Sequence, residues 1–253
     1  MSYMNNFKII KLNAITSTND YLKDKYRTKQ LLDGDLVFTI NQTSGRGQRK
    51  NKWQSETGES LTFSIFKQFK NESPYSLFLI SAVISLAVVS ALEKFQIPQT
   101  SVKWPNDILS ANKKIGGILI ENFLTKGKLS GSVIGIGLNL NQNSFLDLSE
   151  ATSLKQVTGK HWNIEYVLDN MIPFLNRALY ETDLKKNQLW FNQYLSKLWK
   201  LNQINSFSNG NYIFKAKLLG VTEKGVLLLE IEEKKVKKFN SKDVRMQLKS
   251  NLL

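Results

Sequence analysis

From Pro74 to Leu92 the chain reads PYSLFLISAVISLAVVSAL, nineteen residues without a charge. A run of that length either crosses a bilayer or fills the middle of a core. Serines at 76, 81, 85 and 90 dilute its hydrophobicity, Pro74 suits a helix start, and Glu93 and Lys94 close it. The better reading is a helix buried inside a globular domain, with no membrane span. Such a helix needs apolar partners on every side. A chain of 253 residues, 42% of them hydrophobic, can supply them, so disorder is not the default.

The partners are legible as strands and further helices. FKIIKLN (7–13) reads as a first strand. TSTND then offers capping residues ahead of the amphipathic run YLKDKYRTKQLL. GDLVFTIN (34–41) and SLTFSIF (60–66) alternate or cluster apolar residues as strands do. KIGGILIENFL and KLSGSVIGIGLNLN, joined by TKGK, predict a hairpin of two buried strands, and helices follow at about 164–181 and 185–199. From Asn205 the texture changes to short alternating strands with glycine turns, which suggests a small β-barrel. The expected organisation is one large unit, 1–203, and a small one, 204–253.

The absence of cysteine excludes a disulfide framework and thiolate catalysis. The single histidine, His161, has no partner acid or nucleophile nearby in sequence and reads as a surface residue. The N-terminal MSYMNNFKIIKLN lacks the apolar core and cleavage site of a signal peptide, so a cytoplasmic location is expected. A formal net charge of +14 draws anionic partners: nucleic acid, phosphorylated small molecules or acidic proteins. A lysine-rich solvated surface explains the same excess.

Three stretches carry candidate chemistry. SGRGQRKNKW (44–53) combines Gly45 and Gly47, which let backbone approach a ligand, with the forked donors of Arg46 and Arg49. It is a plausible anion clamp, although it matches neither a nucleotide P-loop nor a dinucleotide fingerprint, and taken alone it reads equally as a basic surface turn. VKWPNDILSANKKIGGILIE groups Lys103, Asn106, Asp107 and Lys114 around Pro105, whose ring keeps Trp104 extended and breaks any ladder. Cations beside a carboxylate suit nucleotide phosphates, while Asp107 also reads as a turn residue capping its own backbone and Lys114 as a solvated strand-end lysine. GIGLNLN (135–141) puts small residues on a buried strand, where a ligand can lie, with Asn139 offering an amide.

Taken in order, STND, QTSGRGQRKNKW, VKWPNDILSANKKIGGILIE and GIGLNLN resemble the biotin protein ligases. The resemblance runs from about residue 13 to 141, and the change of texture after 205 resembles that family's C-terminal SH3-like barrel. It implies an α+β fold: a mixed sheet with helices, like the class II aminoacyl-tRNA synthetase ligase domain, then the barrel. It implies biotin and ATP as substrates with magnesium, a biotinyl-5'-AMP intermediate, and transfer to a lysine of a biotin carboxyl carrier domain of acetyl-CoA carboxylase or a related carboxylase. Homodimers occur among such proteins. The ligase pattern begins within the first twenty residues, so no DNA-binding role is expected.

The same resemblance distributes roles. Ser17, Thr18 and Gln42 correspond to residues that line the biotin pocket, and Gly45, Arg46 and Gly47 to the loop that folds over biotin and the adenylate. Arg46 and Lys114 correspond to the groups near the biotin carboxylate and the α-phosphate, with Lys114 the main electrostatic catalyst. Gly116 and Gly117 let the biotin ring lie against a strand. Arg49, Trp53, Lys103, Asn106, Asp107 and Asn139 fall on the nucleotide side, with Asp107 the magnesium candidate. The chain departs from the pattern at Gln48, where arginine is usual, and at Lys50 and Asn51, which implies a looser loop. The alternatives are a lipoate or octanoate ligase of the same superfamily and a non-enzymatic basic nucleic-acid-binding protein, whose binding would fall steeply with salt.

Overall fold

The computed structural model describes residues 5–69, 77–146, 148–181 and 187–248. In chain order the elements begin with β1 (Lys8–Leu12), α1 (Thr18–Arg27), β2 (Asp35–Thr39), the short pair β3 (Gly45–Arg46) and β4 (Lys52–Trp53), and β5 (Ser60–Gln68). There follow α2 (Leu77–Lys94), β6 (Thr100–Lys103), β7 (Asp107–Ser110), β8 (Lys113–Thr125) and β9 (Lys128–Asn139). Helices α3 (Leu154–Thr158), α4 (Ile164–Asn176) and α5 (Asn187–Ser196) complete the larger unit, with a π turn at Arg177–Glu181. The smaller unit holds β10 (Ile204–Ser208), β11 (Ile213–Val221), β12 (Leu227–Glu230), β13 (Val236–Phe239) and β14 (Arg245–Met246).

Seven strands form one sheet in the order β1-β2-β5-β9-β8-β7-β6. Only β1 and β2 run parallel; the other neighbours are antiparallel, so the sheet is mixed, as expected. The hairpin expected at 114–141 is the β8–β9 pair, turning at Lys126 and Gly127. The small unit is a five-stranded antiparallel sheet in the order β13-β12-β11-β10-β14.

Strand alternation divides the sheet into two apolar faces. Leu36, Phe38, Phe63, Ile65, Ile134 and Ile136 join the main core, which α2 fills with Ile80, Val83, Ile84 and Val88. On the other face Val37, Phe66 and Val133 pack with Leu22 of α1. Helix α2 also packs against α4 and α5, which explains how an 18-residue segment of mean hydropathy 2.0 stays inside the protein: 67% of it is buried. It is the one described helix long and apolar enough to cross a membrane, and its packing marks it as a core helix. Pro74, expected at its start, lies outside the described residues.

Helix α1 begins earlier and ends sooner than its amphipathic run suggests. Ser17 is the N-cap and accepts from Asp20 N, and Lys29 turns into positive φ shortly after the last turn. The segment around Pro105 turns between β6 and β7, with Trp104–Pro105 cis. Trp104 is buried and its indole Nε1 donates to Gly225 O at 3.1 Å, tying the small unit to the turn that carries Asn106 and Asp107.

Candidate active site

The α1 side of the sheet carries a glycine-floored cavity. Register pairs Gly117 with Gly137 and Gly137 with Thr62; the next row pairs Leu119 with Gly135 and Gly135 with Ser64. With period-two alternation these side chains point to the face opposite α2. A flat floor results because nothing projects from Gly117, Gly135 or Gly137, and all three line a cavity of about 740 Å³. The loop between β2 and β5 covers it. A Cβ added to Gly137 would lie 2.6 Å from Trp53 Cε2, so the indole already rests on the floor.

One end of the cavity is polar. Thr18 N and Thr18 Oγ1 both donate to Gln42 Oε1, at 3.0 and 3.2 Å. The buried Ser64 hydroxyl lies 2.7 Å from Thr18 Oγ1 and 2.6 Å from Asn19 Oδ1. Ser17, Thr18, Asn19 and Gln42 all line the cavity, so a short run of α1 and one loop residue present donors and acceptors beside a flat apolar floor. That pairing suits a compact ring with a polar edge.

The other end is charged. Asp107 Oδ1 is 2.6 Å from Lys114 Nζ and Asp107 Oδ2 is 3.1 Å from Lys103 Nζ. Burial alone raises the Asp107 carboxyl, but the two lysines outweigh it and hold its pKa below the usual carboxylate range. The backbone of Lys114 is fixed on both sides: its N–H donates to Glu150 O and its C=O accepts from Thr152 N, each at 2.8 Å. Its ammonium lies 5.9 Å from the Trp53 ring centroid. Asn106 ties the β6–β7 turn to β8, its side-chain Nδ2 donating to Ile118 O at 2.7 Å while its backbone carbonyl accepts from Ile118 N at 3.0 Å.

Arg46 reaches the same cavity from the loop. Its Nη2 is paired with Asp20 Oδ1 at 2.7 Å and Glu121 Oε2 at 2.6 Å. Two buried loop donors, Arg46 Nε and Trp53 Nε1, have no hydrogen-bond partner among the described residues. A buried donor left unpaired costs about 1–3 kcal/mol.

Thirteen of the expected site residues come together around this space: Ser17, Thr18 and Gln42; Arg46, Gly47, Arg49 and Trp53; Lys103, Asn106, Asp107 and Lys114; Gly117 and Asn139. Gly45 and Gly116 do not line it. A Cβ at Gly45 would meet Trp53 O at 2.5 Å, so this glycine closes the β3–β4 pair. At Gly116 a Cβ would meet Leu138 Cδ2 at 2.5 Å; alternation turns it toward the core instead of the ring. Asn139 lines the cavity but spends its amide on Thr152 O at 3.0 Å, pinning the 150–152 segment beside Lys114. At Asp107, the magnesium candidate, each carboxylate oxygen is paired with a lysine, and no cluster of three His, Cys, Asp or Glu side chains suited to a metal occurs among the described residues. His161 is exposed, as expected.

Sequence reasoning missed several lining residues. Asn19 stood inside the quoted STND, and Thr62 faces Gly137 across the ladder, a relation visible only once register is known. Arg245, from β14 of the small unit, also lines the cavity and forms no ion pair with a described carboxylate.

The sequence pattern of the biotin/lipoate A/B protein ligase family matches residues 12–139. The bifunctional ligase/repressor BirA of Bacillus subtilis is 32% identical over 225 residues, covering 85% of this chain and 66% of its own. That of Escherichia coli is 36% identical over 129 residues, 51% of this chain and 39% of its own. The chain thus spans about two thirds or less of the length of these relatives. A solved structure of the biotin protein ligase of Aquifex aeolicus in complex with biotin and ATP superposes with a TM-score of 0.77 at 31% identity, covering 95% of this chain and 98% of that one. The glycine floor, the covering loop and the lysine cluster all fall within the matched segment or at its edge, and the chain belongs to the biotin/lipoate A/B protein ligase family.

Proposed function

We propose that the protein is an ATP-dependent biotin protein ligase acting in the cytoplasm. In the first step a carboxylate oxygen of biotin attacks the α-phosphorus of ATP, the bond to the β-phosphate breaks, and pyrophosphate leaves. In the second, the ε-amine of a lysine on a biotin carboxyl carrier domain of acetyl-CoA carboxylase or a related enzyme attacks the acyl carbon of biotinyl-5'-AMP. The amide forms, AMP leaves, and the amine releases a proton.

The observation that carries this reading is the convergence of Lys114 and Arg46, 68 positions apart in sequence, on one cavity. Bringing a carboxylate to a triphosphate means placing two anions in contact, and preorganised cations offset that repulsion in both the ground and transition states. Lys114 sits between the floor and Asp107, where it can turn from its carboxylate partner to the reacting oxygens. Arg46 is anchored through Nη2 at the wall of the cavity. Ser17, Thr18 and Gln42 would hold the ureido edge, and Gly117 would accept the ring beside the Trp53 indole, which rests on Gly137. Lys103, Asn106, Asp107, Arg49 and Asn139 would frame the nucleotide. The solved relative from Aquifex aeolicus, in complex with biotin and ATP, supports the same pair of substrates.

The test is pyrophosphate release from purified protein with ATP, magnesium and biotin, followed by biotin transfer to a purified carrier domain. Release that depends on lipoate or octanoate and not on biotin would reassign the substrate. No release with any of these acids would remove the ligase reading.

A further inference from the structure

Strand β8 carries its alternation one step beyond the cavity. Gly117 and Leu119 line the space, and Glu121, next on the same face, lies just outside it. Its two oxygens accept from three side chains on two elements. Oε2 accepts from Arg46 Nη2 of the loop at 2.6 Å and from Asn19 Nδ2 of α1 at 2.9 Å; Oε1 accepts from Lys23 Nζ at 2.8 Å. Asn19 continues inward, its Oδ1 2.6 Å from Ser64 Oγ, which is 2.7 Å from Thr18 Oγ1, whose residue holds Gln42. One polar chain therefore runs from the loop arginine through Glu121 to the floor of the polar pocket. Gly135 makes room for it: a Cβ there would lie 2.2 Å from Asn19 Oδ1.

We propose that Glu121 is a positioning residue that aims Arg46 and couples the polar pocket to the covering loop. It touches neither substrate. Asp20 is the only other carboxylate paired with Arg46 among the described residues, and its side chain is 40% exposed against 24% for Glu121. A guanidinium gripped at Nη2 by two carboxylates is fixed in direction at the cavity wall, with its Nε buried. Because the same Glu121 oxygen also holds Asn19, a ligand that orders Ser17 to Asn19 orders Arg46 with them. This rests on the biotin ligase reading for the identity of the ligand.

Wild-type pyrophosphate release with biotin and ATP is measured first. Its absence removes the functional reading and leaves Glu121 to be judged by the trypsin arm below. Where it is present, biotin affinity is measured by calorimetry for wild type, Glu121→Gln, Arg46→Ala and the double variant. Glu121→Gln is expected to weaken biotin binding about tenfold, the loss of one charged hydrogen bond, and to change the KM for ATP less than about twofold. In the double variant it adds less than about twofold to the loss from Arg46→Ala, because the glutamate acts through the arginine. In the trypsin arm, cleavage after Arg46 and Arg49 in the ligand-free protein accelerates about tenfold in Glu121→Gln. If that variant melts well below wild type, Glu121→Asp, which keeps the charge but is one methylene too short to hold Arg46 and Asn19 together, enters the same cycle. Independent, additive losses, or unchanged biotin affinity with unchanged loop cleavage, overturn the proposal.

Discussion

The indole of Trp53 rests in the space a Cβ on Gly137 would occupy, with Cε2 2.6 Å and Cζ2 2.7 Å from that position. The loop can cover the cavity only because strand β9 has no side chain there. Gly137→Ala should therefore leave the sheet formed but lift the loop. Overpacking costs about 1–3 kcal/mol, so biotin-dependent pyrophosphate release is expected to fall about tenfold or more. The melting temperature should move little, because the displaced group belongs to the loop. Unchanged release would show that Trp53 does not need its present seat.

Gly116 and Gly117 are adjacent and should fail differently. Alanine at Gly116 meets Leu138 Cδ2 at 2.5 Å and Gly137 O at 2.8 Å, inside the sheet, so Gly116→Ala should lower folding stability by about 1–3 kcal/mol in urea unfolding. Alanine at Gly117 meets Lys114 at 3.5 Å and Trp53 at 3.7 Å, ordinary contacts, so Gly117→Ala should fold as wild type does and alter only ligand binding. Equal stability losses in the two variants would contradict the assignment of the two faces.

Lys114→Ala is expected to lower adenylate formation by about 10²–10³-fold, the size of effect seen when one preorganised electrostatic donor is removed. Folding should survive, because Asp107 keeps Lys103 and the backbone of residue 114 keeps its bonds to Glu150 and Thr152. The check is pyrophosphate release beside a thermal melt. Near-normal turnover would remove Lys114 from the chemistry.

The hairpin of β8 and β9, the buried α2 and the change of texture from Asn205 were legible because each is a local pattern: alternation, an uncharged run, glycine turns. The site residues were legible through motif resemblance, which specifies residue types but not which way each side chain faces. Gly116 and Gly117 look alike in sequence; alternation puts them on opposite faces, and only the register against β9 shows that Gly117, opposite Gly137, is the one on the cavity side. The sequence puts Asp107 among cations, but that Lys103 and Lys114 each take one of its oxygens, one across the β6–β7 turn and one across a ladder, follows only from the fold. Arg245 was beyond reach, since placing it requires docking the small unit through the Trp104–Gly225 contact.

Asp107 gives the protein a predictable acid response. Its pKa is lowered by Lys103 and Lys114 against the opposing effect of burial, so the folded state holds the proton less tightly than the unfolded chain. Its contribution to stability is then fully present above the unfolded pKa and is lost as pH falls through the folded one, below about pH 4. Asp107→Asn removes the charge that both lysines share and leaves two cations beside each other. Breaking one side of such a pair costs about 3–5 kcal/mol. The variant should therefore melt below wild type at pH 7, and the gap should narrow as pH drops toward 3, because wild type loses by protonation what the variant already lacks. A gap that stays constant across that range would mean the Asp107 charge contributes nothing to the fold.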